Sequence, residues 1–365
     1  MDTRATIFAL LIILAPILHA AQGFQTPYPT VPRIDANIHK IHSHGVEGFR
    51  SYLKLRDTLN ATTNVDLALW IDHQQNDPDS MRHYTGSRMM GTTAQRRPAT
   101  DGITHTTDAD LDSLAAKGYL GISLWSPPHP RQTPGPALYR HLDDSAHIEP
   151  LANITHHKLL LANLYIADPL YHTPPEEHSL APAPEASRPT TPIDFWREIN
   201  ALQRILDREP QLKVIVSHGA WLMDTPQHLE YLSYLLAYYP QLNIDLSLTL
   251  PTLAKLPSQE LRQFFTTFQD RLLFGTDLDL SPITDLQSMN SCYTDWFRYL
   301  ETHSSFTPAY HTSIASLHGI GLPRPILEKI YFKNAIRIYP IELLENMLRV
   351  GYAISKPKHI KRSPR

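Results

Sequence analysis

Short continuous apolar runs alternate along this chain with longer stretches whose apolar residues recur every three or four positions. The runs have the length and β-branched content of buried strands, and the longer stretches have the period of amphipathic helices. Residues 34–39 (IDANIH), 65–71, 119–125 (YLGISLW), 159–166, 213–217 (KVIVS), 242–246 and 272–274 read as strands. Helices are expected over 46–60, 108–117, 194–208, 225–238, 258–268, 286–302 and 324–338. In the 194–208 helix Phe195, Ile199, Leu202 and Ile205 fall on one side. Gly118 stops the 108–117 helix, and Asp224 is the expected N-cap of 225–238, with Pro226 in its first turn.

Strand followed by helix, repeated, implies parallel βαβ units. The fold class is α/β, and a single-domain (β/α)8 TIM-like barrel fits best, because polar punctuation clusters where strands end. An open doubly wound sheet is the alternative. The eighth strand either lies between residues 140 and 158 or carries no clear signal in the pattern. Two stretches interrupt the alternation as loop insertions. Residues 73–105 are polar with little periodicity, and 171–192 carries six prolines, which fix φ and remove ladder donors. The barrel is expected over 33–340, followed by a C-terminal helix and basic tail over 341–365.

Residues 1–23 read as a signal peptide: one Arg4, an apolar run over 7–18, then Ala21-Gln22-Gly23 as a cleavage site before Phe24. The run is too short to span a ~30 Å hydrocarbon core. The expectation is an exported protein, periplasmic or extracellular, with no stable membrane span after cleavage. A formal net charge of −3 gives no reason to expect a nucleic-acid partner. The single cysteine, Cys292, excludes an intramolecular disulfide framework and any CxxC site. No G-x-G-x-x-G follows a strand and no P-loop motif exists, so nucleotide binding lacks its usual signal; the expected partner is a small-molecule substrate. Histidine is plentiful, at 20 residues, and imidazole is the commonest metal ligand and proton shuttle.

Barrel chemistry gathers at the carboxyl ends of strands. Strand alternation aims Asp35, Asn37 and His39 together at the barrel axis. The 159–166 strand offers Tyr165, with Asp168-Pro169 beyond it. The 213–217 strand ends on His218-Gly219, and 272–274 ends on Gly275-Thr276-Asp277.

These strand ends resemble the amidohydrolase-related family of metal-dependent hydrolases, in the branch that includes the aminocarboxymuconate-semialdehyde decarboxylase type. Its first strand carries D-x-H-x-H, read here as Asp35-Ala36-Asn37-Ile38-His39. Its sixth ends in a histidine, here His218. Its last reads L-F-G-T-D, here Leu273 to Asp277, and its I-Y-x-x-N-A-x-R helix matches Ile330 to Arg337. The resemblance runs from about Arg33 to Pro340. It implies a divalent metal, zinc or manganese, held by His39, Asn37 and Asp277. It also implies catalytic roles for Asp277, orienting or deprotonating water, and for His218, polarising a carbonyl or shuttling protons. Tyr165, Trp125 and His73 are the expected substrate contacts.

Three positions depart from that pattern, two of them at expected ligands. Asn37 stands for the first histidine of H-x-H, and Tyr165 stands where the fifth strand supplies another. Ser123 replaces a lysine in the Gly121-x-x-x-Trp125 strand. A carboxamide is a weak zinc ligand, and a phenol ligates only as phenolate, from a pKa near ~10. Zinc is therefore expected to be weak or absent, unless His42, His44 or His73 substitutes. Two functions follow: hydrolysis of a small-molecule C–N or C–O bond (with C–C cleavage as a variant), or a degenerate member that binds a ligand without turnover.

Overall fold

A computed structural model of the protein describes residues 24–40, 67–72, 89–95, 107–125, 141–143, 151–152, 154, 161–166, 195–279 and 286–339. Its main sheet contains β1 Ile34–Lys40, β2 Leu67–Asp72, β3 Met89–Gln95, β4 Gly121–Trp125 and β5 Leu161–Tyr165. It continues with β6 Lys213–Val216, β7 Leu242–Asp245, β8 Leu272–Leu273 and β9 Leu278–Asp279. The order is β8-β7-β6-β5-β4-β3-β2-β1-β9, and every neighbouring pair is parallel.

The first and last members of that order are two ends of one short stretch of chain. Leu272 and Leu273 pair with Ile244 and Asp245 of β7. Leu278 and Asp279 pair with Ile38 and His39 of β1. Between them the Ala36 N–H donates to the Phe274 carbonyl (2.9 Å), and the Asp277 N–H donates to the Asn37 carbonyl (2.8 Å). Residues 272–279 thus form one eighth stave bonded to both neighbours, and the strand order returns to its start. This is the arrangement of a (β/α)8 barrel.

No described residue between 140 and 158 is in a strand, only in turns and a short helical segment, and the eighth strand lies elsewhere. It is β3, inside the stretch expected to be a loop insertion. Its sequence, MMGTTAQ, is neither a continuous apolar run nor a clean alternation. Threonine favours strands through its branched Cβ without adding hydrophobicity, so the apolar pattern is silent there. The expected 46–60 helix, the 171–192 excursion, the signal segment and the basic tail lie outside the described residues.

Most helices pack against the outer face of the staves, whereas the last packs Ala335 and Ile338 against the inner cluster of Ile34, Ala36, Ile215 and Leu273. The helices are α1 Asp108–Ala116, α2 Phe195–Arg208, α3 Pro226–Tyr238, α4 Leu250–Leu253, α5 Ser258–Thr267, α6 Leu286–Glu301, α7 Arg324–Glu328 and α8 Asn334–Ile338. In α2 the four expected apolar residues are all buried. Val214 and Val216 share the outer core with them, whereas Ile215 faces inward with Ile34, Ala36 and Leu273. The N-cap of α3 is Thr225, whose hydroxyl accepts from the His228 N–H (3.2 Å). Asp224, the expected cap, instead meets the His228 ring nitrogen Nδ1 at 2.7 Å. The single helix expected over 324–338 is α7 and α8 joined by a π turn, Lys329–Lys333. Among the described residues no helix is long and apolar enough to cross a membrane.

At the amino ends of the staves, Arg33 is buried with its guanidinium 2.8 Å from Glu301 of α6 and 4.4 Å from the centre of the Phe297 ring. The Tyr331 hydroxyl donates to the same carboxylate (2.9 Å). A buried charge pair is tolerable when most of its remaining groups are also bonded, and Arg33 Nη2 donates to the Thr26 hydroxyl as well (2.8 Å).

Candidate active site

β1 carries one residue more than β2 between Asp35 and Ile38, where the pairing register slips. A bulge exchanges the faces that successive residues occupy. Asn37 and His39 therefore point into the barrel, but Asp35 points out to the helix layer. Its carboxylate accepts from the Tyr293 hydroxyl of α6 (2.7 Å), the Thr276 hydroxyl, and the N–H groups of Asn37 (3.2 Å) and Thr276 (3.1 Å). The expectation of three inward-facing side chains fails for Asp35, because strict alternation does not survive an inserted residue. Burial outweighs the four donors and pushes the Asp35 carboxyl up to about 7.

Asn37 is the centre of the inner polar layer. Its Nδ2 donates to Asp245 Oδ2 (3.0 Å) and Ser247 Oγ (2.9 Å), and stands 3.3 Å from Ser217 Oγ. Its Oδ1 accepts from the Tyr165 hydroxyl (3.0 Å). Ser217 in turn donates to Asn163 Oδ1 (3.0 Å). The close approach of the staves here requires Gly275, where a Cβ would lie 3.0 Å from the Asn37 Cβ.

The second group is His39 with Asp277. His39 Nε2 lies 2.7 Å from Asp277 Oδ1 and 3.0 Å from the Tyr165 hydroxyl. A carboxylate only accepts, so Nε2 carries the proton and donates it to Asp277. Asp277 has positive φ (63°) and keeps about a fifth of its side chain exposed (21%). Burial holds the Tyr165 phenol well above its ordinary pKa, with the nearby Asp277 and Asp245 adding to the shift. It is a neutral hydrogen-bonding group.

His218 opens a left-handed turn over Ser217–Trp221. His218, Gly219 and Ala220 have φ of 59°, 58° and 54°, and Trp221 has 57°. For non-glycine residues this conformation costs about 1–2 kcal/mol each, and such strain concentrates at functional sites. Asp245 helps to hold it by accepting from the His218 N–H (3.3 Å), and Trp221 Nε1 donates to the Ile166 carbonyl (3.0 Å). The imidazole sits between Trp221 (ring centres 4.9 Å) and Tyr165 (5.4 Å).

These residues do not fit a resident zinc or manganese. The one metal-capable atom of Asn37 accepts from Tyr165, and the phenol of Tyr165 is far from ionising. Among the described residues no group of three or more His, Cys, Asp and Glu side chains could hold a metal ion. The donor set expected at Asn37, His39 and Asp277 is instead closed by its own hydrogen bonds.

Of the expected substrate contacts, Tyr165 lies in this cluster. Trp125 pairs with Tyr165 in strand register, although its side chain lies outside the described residues. His73, His42, His44 and Asp168 lie outside them altogether. Ser123, at the lysine position, is buried, and its hydroxyl has no hydrogen-bond partner among the described residues. Sequence reasoning missed Asp245, Ser247, Ser217 and Asn163. The signal was present for the first two: Asp245-Leu246-Ser247 closes the 242–246 strand with polar residues two apart, as at other strand ends.

A model of the amidohydrolase family matches residues 99–341, about two thirds of the chain, beginning after β3. Among solved structures, amidohydrolase 2 from Bifidobacterium longum subsp. infantis is 14% identical, with 85% of this chain and 99% of that chain covered and a TM-score of 0.44. The 2,6-dihydroxybenzoate decarboxylase from Rhizobium is 13% identical, with 85% and 98% covered and a TM-score of 0.45. No curated protein matches the chain. With its parallel barrel and the extent of that match, the chain belongs to the amidohydrolase family.

Proposed function

We propose that this protein is an exported enzyme of hydrolase or lyase type. It acts on a small molecule bound at the carboxyl ends of the staves, through side-chain acid–base chemistry. The carrying observation is the pairing of two differently committed histidines around Tyr165. His39 is bonded to Asp277 at 2.7 Å, whereas His218 is held by Asp245 and Ser247. Members of the family generally use divalent metals. The donor chemistry at Asn37 and Tyr165 does not support one here, so no step is assigned to a metal. Asp277, partly exposed, accepts a hydrogen bond from the bound molecule or from an attacking water, and His218 moves the proton. Barrel chemistry drawn from several strand ends is the usual pattern of this fold.

The experiment is turnover of a panel of small amides, esters and aromatic carboxylic acids by the purified protein, with chelator and with added zinc or manganese. Turnover that persists in chelator and is lost in His218→Asn and Asp277→Asn is expected. Turnover only with added metal overturns the metal-free assignment. A second reading, ligand binding without turnover, is favoured by the filling of the metal position by Tyr165 and Asn37. It prevails if panel members bind by calorimetry and none is converted. Export rests on the 7–18 apolar run and Ala21-Gln22-Gly23, and secreted material should begin at Phe24. Secreted protein that still carries Met1 overturns that part.

A further inference from the structure

Ser247 stands between a carboxylate and an imidazole, and its bonds fix every proton around it. Its hydroxyl donates to Asp245 Oδ1 in a short contact. Asp245 behaves as an acceptor throughout, taking also the N–H groups of Ser247 (3.0 Å) and His218 (3.3 Å) and Nδ2 of Asn37 (3.0 Å). With its own proton committed, Ser247 Oγ is left to accept from Asn37 Nδ2 (2.9 Å) and from His218 Nδ1 (2.9 Å). The Ser247 carbonyl, 3.2 Å from the same Nδ1, has no proton to give. Both oxygens facing Nδ1 therefore require a donor, and the ring proton belongs on Nδ1. Nε2 has no hydrogen-bond partner among the described residues.

We propose that Asp245 and Ser247 are positioning residues that hold neutral His218 as the Nδ1–H tautomer, so that its Nε2 lone pair is the proton-accepting atom of the site. This rests on the reading of the site as one that works by side-chain acid–base chemistry. It replaces carbonyl polarisation, which needs a proton on Nε2, with proton abstraction. The bound molecule, or a water beside it, gives an O–H or N–H proton to Nε2 and keeps the electron pair of that bond. His218 becomes imidazolium with Nδ1–H still bonded to Ser247 and the Asp245 carboxylate one hydroxyl away. An oriented base whose partner stabilises the cation that forms is a recurring catalytic arrangement. The strained left-handed turn is explained by the same arrangement: it brings the His218 ring and backbone N–H to β7 at once.

The test is imidazole nitrogen NMR on the ligand-free full-length protein, labelled at histidine nitrogens, at a pH where imidazoles are neutral. His218 is assigned by the signals lost in His218→Gln. The expected pattern is a protonated Nδ1 and an unprotonated Nε2, with the Nδ1 proton shifted downfield and slow to exchange with water. In Ser247→Ala only the carbonyl remains, and that proton should move upfield and exchange several-fold faster; Ser247→Thr should restore both. A wild-type His218 protonated on Nε2 overturns the proposal, as does Ser247→Ala with an unaltered Nδ1 proton. The measurement needs no substrate, so a protein without turnover would fail the functional reading and leave the tautomer assignment standing.

Discussion

Asn37 Oδ1 and the Tyr165 hydroxyl stand 3.0 Å apart, and these are the two positions at which the resemblance leads one to expect histidines. The two departures are thus partners of each other. A carboxamide that turns its oxygen to the phenol must turn its nitrogen to Asp245 and Ser247, where only donors are wanted. The pair is a coherent replacement rather than two separate losses.

Restoring histidine at position 37 should accordingly harm the protein. Asn37→His removes a donor that serves a buried carboxylate and a buried hydroxyl, and it also enlarges a side chain packed against Gly275. The expected destabilisation is about 2–3 kcal/mol, read as a lower urea midpoint, with no gain in zinc affinity by dialysis. A variant as stable as wild type that binds zinc would show that the site still accommodates the ion.

Tyr165→Phe keeps the ring contact with His218 and removes only the hydroxyl. It leaves Asn37 Oδ1 buried without its donor, at a cost of about 1–2 kcal/mol in chemical denaturation. An unchanged midpoint would mean that Oδ1 has another donor.

The buried Asp35 gives a pH dependence of definite sign. Its carboxyl titrates at about 7 in the folded chain, above the ~3.9 of an unfolded aspartate, so the folded state favours the protonated form. That contribution is complete below the unfolded pKa and is lost as pH rises through 7, at most about 4 kcal/mol over the interval. Asp35→Asn should flatten the stability profile between those limits relative to wild type. Parallel profiles would show that Asp35 titrates normally.

Gly219 occupies the left-handed turn at φ of 58°, and a Cβ there would fall 2.4 Å from the Met223 sulfur. Gly219→Ala should cost about 2–3 kcal/mol, combining backbone strain with displacement of Met223. It should also disturb the tryptophan fluorescence through Trp221, two residues on. A variant with wild-type thermal stability and an unchanged emission spectrum would contradict both effects.

Much of this architecture was legible in the residues. The run at 213–217 is apolar on both faces, as a strand between a helix layer and a barrel interior can be, and 242–246 alternates Leu242, Ile244 and Leu246 with Asn243 and Asp245. Asp277 and His218 were recognisable from where their strands end. β3 was not, because Thr92, Thr93 and Gln95 give it strand-forming shape without apolar contrast. Asp35 was misplaced because a bulge leaves no mark in composition. The two-apart spacing of Asp245 and Ser247 at a strand end is legible in the sequence, but their hydrogen-bonded relay to His218 is a property of three-dimensional proximity.

The eighth stave meets the first only after the chain has travelled almost its whole described length. Thr276 bonds Asp35 across 241 residues, and Asn37 bonds Asp245 across 208. Contacts of such sequence separation form late and slowly, since the loop-closure entropy precedes any reward. The polar cluster is therefore complete only once the last stave docks, because Asp277, the partner of His39, lies on it. A nascent or truncated chain lacking residues beyond 271 would leave β1 without its β9 neighbour and His39 without Asp277, so ligand-binding competence should arrive with the docking of the final stave.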